Sequence, residues 1–164
     1  DETDSDDAEV ISMTKLLEDV VNEGRALSLG RHVITLEACR ASLVGEPSDI
    51  RSAAMNLVSN AVRYTPEGGR IDVRWFRTSS GAVLSVKDTG IGIEEKHIPR
   101  LTERLYRVDK GRSRSTGGTG LGLAIVKHGC RSAGGQLKIE STPGKGSTFS
   151  MVFPKSRIFD DESV

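Results

Sequence analysis

Residues 117–128 read GGTGLGLAIVKH, three alternating glycines run into the start of an apolar stretch. Glycine at this density lets a backbone turn tightly or come close to another group. Two phosphate-binding patterns can be tested on spacing. A dinucleotide fingerprint, G-x-G-x-x-G, would start at Gly118 and Gly120 and needs its third glycine where this chain has Leu123. A P-loop needs Lys and then Ser or Thr after its last glycine, and Gly122 is followed by Leu123 and Ala124. Both patterns fail. The glycines still lead into helical spacing through Leu121, Leu123, Ala124, Val126 and Lys127. The N–H groups at a helix start are an anion site under any motif name. The loop reads either as a turn or as such a site, and the rest of the chain has to decide.

At 164 residues the chain has the size of one domain with a substantial core. Its 23 Lys and Arg balance 23 Asp and Glu, so no global field draws it to nucleic acid or to an acidic membrane. No apolar run approaches the roughly 20 residues that span a bilayer, and no signal-peptide pattern opens the chain. Cys39 and Cys130 match no metal or redox spacing and read as small, reduced, buried residues of a cytosolic protein. No internal repeat is present.

The stretch 1–12 is acidic at its start, with little to bury, and is expected to be a linker or a cut end. Met13, Leu16, Leu17, Val20, Val21 and Leu27 form an apolar stripe at helical spacing that ends near Gly30. Residues 32–38 and 42–46 look like a strand pair. Pro47 opens a second helix with apolar positions at Ile50, Ala53, Ala54, Leu57, Val58, Ala61 and Val62, and TPEGG stops it. Residues 70–76 and 82–88 alternate as strands about a Ser-Gly turn. A charged stretch from Glu94 to Ser115 reads as a short helix and a basic loop. The glycine-led helix and two more strands complete the domain over 13–154, and 155–164 is expected to fray. These elements fit an α/β two-layer sandwich, a mixed sheet with helices on one face.

Three features suggest chemistry. On the second helix Asn56, Asn60, Arg63 and Tyr64 lie at i, i+4, i+7 and i+8, in one line beside the apolar stripe. Asparagine competes for backbone hydrogen bonds and is a poor mid-helix residue, so the line is either a solvated surface or a nucleotide face. On the second reading an Asn oxygen ligates Mg²⁺, Arg63 meets phosphate and Tyr64 stacks on a base. In DTGIGI (88–93), Asp88 ends a strand and either makes a simple turn or accepts from an exocyclic amine, with Gly90 and Gly92 clearing room for a ring. The basic stretch YRVDKGRSRS (106–115) is a solvated loop or a lid carrying anion-binding arginines.

Taken together, NLVSNAVRYT, DTGIGI, TERLYRVD and GGTGLGLAIVK resemble, in order and spacing, the N, G1, F and G2 boxes of sensor histidine kinases. The resemblance covers about residues 13–154, the catalytic ATP-binding domain of that family, and IPRLTERLYRVDKGRSR is similar to the phosphate-regulon branch. It implies a Bergerat-type fold, ATP and Mg²⁺. It also implies two partners, a dimerisation domain bearing the acceptor histidine and a response regulator. Carried over by position, Asn60 ligates Mg²⁺, Asn56 supports the triphosphate, Arg63 contacts phosphate and Tyr64 covers the adenine. Asp88 takes the adenine amine beside Gly90 and Gly92. Arg107 and Arg112 reach the γ-phosphate, with Arg107 and Asn56 as the catalytic pair. Gly118, Thr119, Gly120, Leu121 and Gly122 set N–H groups around the phosphates.

The sequence departs from the pattern at Thr102 and Leu105, where the F box usually has phenylalanines, so docking of the lid on a partner helix should be weaker. None of His32, His97 and His128 has the acceptor context, and all three read as ordinary surface or half-buried residues. The acceptor helices are expected to precede residue 1, and the chain to be a monomeric, cytoplasmic part of a kinase anchored in the bacterial inner membrane, without direct membrane contact itself. Two alternatives share the fold: a serine-phosphorylating anti-sigma-type kinase, and a nucleotide-binding module without transfer activity. Gyrase- and chaperone-like relatives carry a Glu base where this chain has Asn56, and an amide cannot take a proton from water.

Overall fold

The computed structural model describes residues 8–92 and 120–161. Strand β1 (Glu9–Ser12) runs directly into helix α1 (Met13–Ser28), followed by β2 (Val33–Ala38) and β3 (Ala41–Gly45). Helix α2 (Pro47–Tyr64), strands β4 (Arg70–Thr78) and β5 (Gly81–Asp88), helix α3 (Gly120–Ser132), and strands β6 (Gln136–Thr142), β7 (Gly146–Pro154) and β8 (Ile158–Asp160) complete the order.

Five strands form a mixed sheet in the order β2-β4-β5-β7-β6, in which β2 runs parallel to β4 and every other pair is antiparallel. Alternation along β4 shows how the layer is built. Ile71, Val73 and Trp75 are buried, while Arg70, Asp72 and Arg74 lie between them on the open face. Val20 and Val21 of α1, Leu57 and Val58 of α2, and Val126 and Cys130 of α3 join those strand residues in one core. The helices therefore cover one face only, as the sequence leads one to expect. The other face is polar and knitted to itself: Thr35 Oγ1 donates to Asp72 at 2.6 Å, and Arg74 pairs with Glu37 at 3.2 Å and lies 4.7 Å over the Phe76 ring.

Helix α2 starts where Pro47 meets its cap, the Glu46 carboxylate, which accepts from the Asp49 N–H at 3.0 Å and from Ser48 Oγ at 2.6 Å. These bonds hold the Glu46 carboxyl below its usual range, with the Ser48 hydroxyl as the larger cause. Helix α3 comes close to α2 at Gly129, where a Cβ would stand 2.7 Å from the Ala53 Cβ and 2.9 Å from the Asp49 carbonyl oxygen. Helix α1 ends in a left-handed turn at Leu29 (φ 56°), one residue before the glycine that marks its end in the sequence.

Three expectations are corrected. Strands β2 and β3 do not pair with each other: β2 joins the large sheet, and β3 is the centre of a second, three-stranded sheet, β1-β3-β8. The stretch 1–12, read as a linker, carries β1, and the stretch from Lys155, read as frayed, carries a 3-10 turn (Lys155–Arg157) and β8. Both strands lie antiparallel to β3, with Val10 opposite Val44 and Ser42 opposite Phe159. The two sheets are tied by Trp75, whose indole N–H donates to the Ala41 carbonyl at 2.9 Å while its ring meets Phe153 edge-on at 6.2 Å.

Candidate functional site

The polar line on α2 stays at the boundary of the helical layer. Asn56, Asn60, Arg63 and Tyr64 are all half-buried, one step round the helix from the buried stripe. Asn60 Oδ1 accepts from Arg63 Nη1 at 2.6 Å. Asn56 Nδ2 donates to the Ser52 carbonyl at 2.8 Å, which leaves its oxygen facing α3, where a Cβ at Gly122 would stand 3.1 Å from Asn56 Oδ1. The glycine-led helix therefore begins against the line of asparagines, with Gly120, Leu121 and Gly122 in its first turn.

Asp88 is the last residue of β5 and is only 7% exposed. Its Oδ1 accepts from the Gly90 N–H at 2.8 Å and from the Ser147 N–H of β7 at 3.2 Å. Burial pushes the carboxyl above its usual range, and these two backbone bonds oppose the shift. A carboxylate kept here against its desolvation cost, with both bonds on one oxygen, leaves Oδ2 as the acceptor for something else.

The turn after Asp88 is wedged between two elements. On one side a Cβ at Gly90 would lie 2.6 Å from the Tyr64 carbonyl oxygen, and the Ile91 N–H donates to that carbonyl at 3.4 Å. On the other, Gly92 (φ +76°) leaves no room for a Cβ against the Thr142 carbonyl oxygen, and the Gly144 N–H donates to Ile91 O at 2.7 Å. The end of α2, the Asp88 turn and the β6–β7 turn are thus one packed unit. Arg107, Arg112, Gly118 and Thr119, together with Thr102, Leu105 and His97, lie outside the described residues.

Sequence reasoning missed two residues at this junction. Thr65, which ends α2, is 4% exposed and sits beside Gly90. His32, read as an ordinary histidine, joins two helix ends: its Nε2 donates to the Thr65 carbonyl at 2.6 Å, and its Nδ1 lies 2.9 Å from Ser28 Oγ. Both placements depend on contacts 25 or more residues away along the chain, which no local pattern carries. His128 is exposed, 3.5 Å from Asp49 Oδ2. Both cysteines are free thiols. Cys130 is buried as expected, its thiol pushed up to about 12 by burial, whereas Cys39 is half-buried.

The residues fit a magnesium nucleotide. Among the described residues no group of three or more His, Cys, Asp or Glu is placed to hold a metal ion, so a cation here would draw on amide oxygen and on the ligand's own phosphates. A buried carboxylate with an oxygen to spare suits a base bearing an amine.

Residues 45–157 match the family model described as histidine kinase-, DNA gyrase B- and HSP90-like ATPase. The phosphate regulon sensor protein PhoR of Pseudomonas aeruginosa is 51% identical over 95% of this chain, which spans 36% of that protein. The sensor-like histidine kinase SenX3 of Mycolicibacterium smegmatis is 43% identical over 69% of this chain and is matched over 29% of its own length. The chain thus spans about a third of these curated relatives. Among solved structures, the mycobacterial sensor histidine kinase MprB superposes with a TM-score of 0.79 at 27% identity, covering 90% of this chain and 97% of that one. On this fold and these matches, the chain belongs to the family of histidine kinase-, DNA gyrase B- and HSP90-like ATPases, as an ATP-binding catalytic domain of the sensor histidine kinase type.

Proposed function

We propose that this domain holds Mg²⁺·ATP and delivers its γ-phosphoryl group to a histidine on a separate helical dimerisation domain, from which it passes to a response regulator of the phosphate-regulon type. One observation supports the site above all. The asparagine face of α2, the buried Asp88 turn and the first turn of α3 meet, linked by the Tyr64–Gly90 and Asn56–Gly122 approaches. Asn60 offers Mg²⁺ its amide oxygen, Asn56 supports the triphosphate, and Arg63 takes phosphate. Tyr64 covers the base, whose amine donates to Asp88 between Gly90 and Gly92. The N–H groups of residues 118–122 and the side chains of Arg107 and Arg112 surround the phosphates. Bound magnesium would supply charge neutralisation across the phosphate oxygens.

Transfer forms one P–N bond to the acceptor imidazole and breaks the P–O bond to ADP. Catalysis of such a step is mostly positioning and electrostatics. Neither Asn56 nor Asn60 can take a proton from water, so the triphosphate is held without fast hydrolysis. No described helix is long and apolar enough to cross a membrane. The domain acts as a monomer on the cytoplasmic side of an inner-membrane kinase.

The test is incubation with labelled ATP, alone and with a separate acceptor-helix domain. Acid-labile phosphohistidine on the acceptor, and none on this chain, is the expected result. Label on any of its own three histidines, or binding with no transfer in the mixture, overturns the proposal.

A further inference from the structure

The face of the large sheet that none of the described helices covers is hollowed along its middle. Small hydroxyl residues make the floor: Ser85 of β5 stands opposite Ser150 of β7, and Lys87 opposite Thr148. Ser85 is 8% exposed and Thr148 and Ser150 are half-buried, while Arg74 of β4 and Lys138 and Glu140 of β6 stand exposed on either side. The trench has a volume of about 620 Å³. Past Lys87, Thr148 and Glu140 it adjoins a second hollow of about 220 Å³ at the β6–β7 turn, which Lys145 lines. At the opposite end Phe76, Val83 and Val152 lie side by side, an apolar row half-open to solvent.

Charge on this face is unbalanced, although the whole chain is neutral. On the β2–β4 side the acids are engaged, Asp72 by Arg70 and Thr35 and Glu37 by Arg74. On the β5–β7–β6 side Lys87, Lys138 and Lys145 make no ion pair among the described residues, and Glu140 is the acid there without one. Three unpaired cations against one unpaired anion complement an acidic ligand.

We propose that the open sheet face is a docking surface for an acidic peptide segment, bound extended along β5 and β7, with an apolar residue on the Phe76–Val83–Val152 row and carboxylates at Lys138, Lys87 and Lys145. An extended segment has backbone N–H and C=O groups to satisfy, and those of β5 and β7 are already paired within the sheet. The floor hydroxyls, each a donor and an acceptor, take that part. A helix, which satisfies its own backbone, would leave them idle. The rows at Val83, Ser85 and Lys87 follow one another every second residue, about 7 Å apart, which matches alternate side chains of an extended peptide. A nucleic-acid strand suits the trench less well. The Asp72, Glu37 and Glu140 carboxylates stand beside it, and Arg74 lies 4.7 Å over the Phe76 ring, so no bare aromatic face is offered to a base.

The test titrates the isotope-labelled whole chain with the peptide Phe-Thr-Glu-Thr-Glu-Thr-Glu, with its counterpart Phe-Thr-Gln-Thr-Gln-Thr-Gln, and with a deoxythymidine 12-mer, following amide chemical shifts. The Glu peptide should shift Ser85, Thr148 and Ser150 and bind at least about tenfold more tightly than the Gln peptide. The double variant Lys87→Glu with Lys138→Glu, its folding checked by melting temperature, should lose at least about fivefold in affinity for the Glu peptide. Equal binding of the two peptides, shifts confined to other surfaces, or unchanged affinity in the folded variant overturns the proposal. Binding of the 12-mer as tightly as the Glu peptide would show an indiscriminate polyanion surface and overturns it too. Should the double variant fail to fold, the two peptides on the parent chain still decide.

Discussion

Arg63 Nη1 donates to Asn60 Oδ1 at 2.6 Å, so the amide oxygen assigned to the metal is already engaged by the side chain three residues on. The same contact orients it. An amide oxygen has two lone pairs, and one remains for a cation while the guanidinium keeps the group from rotating. Asn60→Ala removes both the ligand and the arginine's anchor. ATP affinity with Mg²⁺ should fall at least tenfold, about 1.4 kcal/mol, and fall much less in EDTA. Calorimetry under the two conditions decides, and equal Mg²⁺-dependent affinity in the variant would refute the assignment.

Asp88→Asn separates stability from recognition. The amide keeps an oxygen for the Gly90 and Ser147 N–H groups and loses the buried charge. Because burial raises the Asp88 pKa in the folded state, the protonated form is favoured there. Any stability this group contributes is present at pH below the ordinary 3.8 and is lost as pH rises through the raised folded value. The variant lacks that loss, so its melting temperature relative to the parent should be higher at pH 7 than at pH 4. Its preference for ADP over GDP, at least tenfold in the parent by hydrogen-bond complementarity, should disappear. A melting-temperature difference that shrinks toward pH 7 would contradict the direction.

Trp75→Phe deletes the indole N–H that reaches across to the Ala41 carbonyl. The ring is 1% exposed, so the change also leaves a small cavity beside Phe153. Together these should cost about 2–3 kcal/mol, measured by urea denaturation. A loss under 0.5 kcal/mol, on the order of an ordinary surface change, would mean that the bond between the sheets contributes little.

Leu29→Gly should stabilise the fold. Leu29 holds φ 56° at the end of α1 with 81% of its surface exposed. A left-handed residue other than glycine costs roughly 1–2 kcal/mol, partly offset by the greater freedom of glycine in the unfolded chain. A net gain of about 0.5–1 kcal/mol is expected, and a lower melting temperature would show that the leucine makes contacts its exposure hides.

Much of this molecule is legible in its sequence where the controlling interactions are local. Pro47 and the apolar spacing after it set α2, and helical geometry alone then aligns Asn56, Asn60 and Arg63. The alternation in 82–88 sets a strand that delivers Asp88 to a turn. The failures share one cause. The Arg40 step between β2 and β3 resembles a hairpin, yet β2 finds its partner in β4, and β3 finds β8 more than a hundred residues away. Strands of three or four residues, such as β8 and β1, have too few positions to show a period, so pairing across the chain decides them. Thr65 and His32 are illegible for the same reason: their junction is made by contacts 25 and 33 residues apart along the chain.

The small β1-β3-β8 sheet also fixes how the domain meets mechanical load. Both outer strands run antiparallel to β3, with Glu9 at its Gly45 end and Asp160 at its Ala41 end. Pulling the two ends of the domain apart therefore draws β1 and β8 along the strand axis in opposite directions. The ladder hydrogen bonds, which lie across that axis, are loaded together in shear and are not peeled one by one. Strand β1 passes without a break into α1, whose far end carries Ser28, and Ser28 Oγ lies 2.9 Å from His32 Nδ1. Force spectroscopy should find the domain resistant to end-to-end extension, with a force peak that Val10→Pro, which inserts proline into the β1 ladder, lowers.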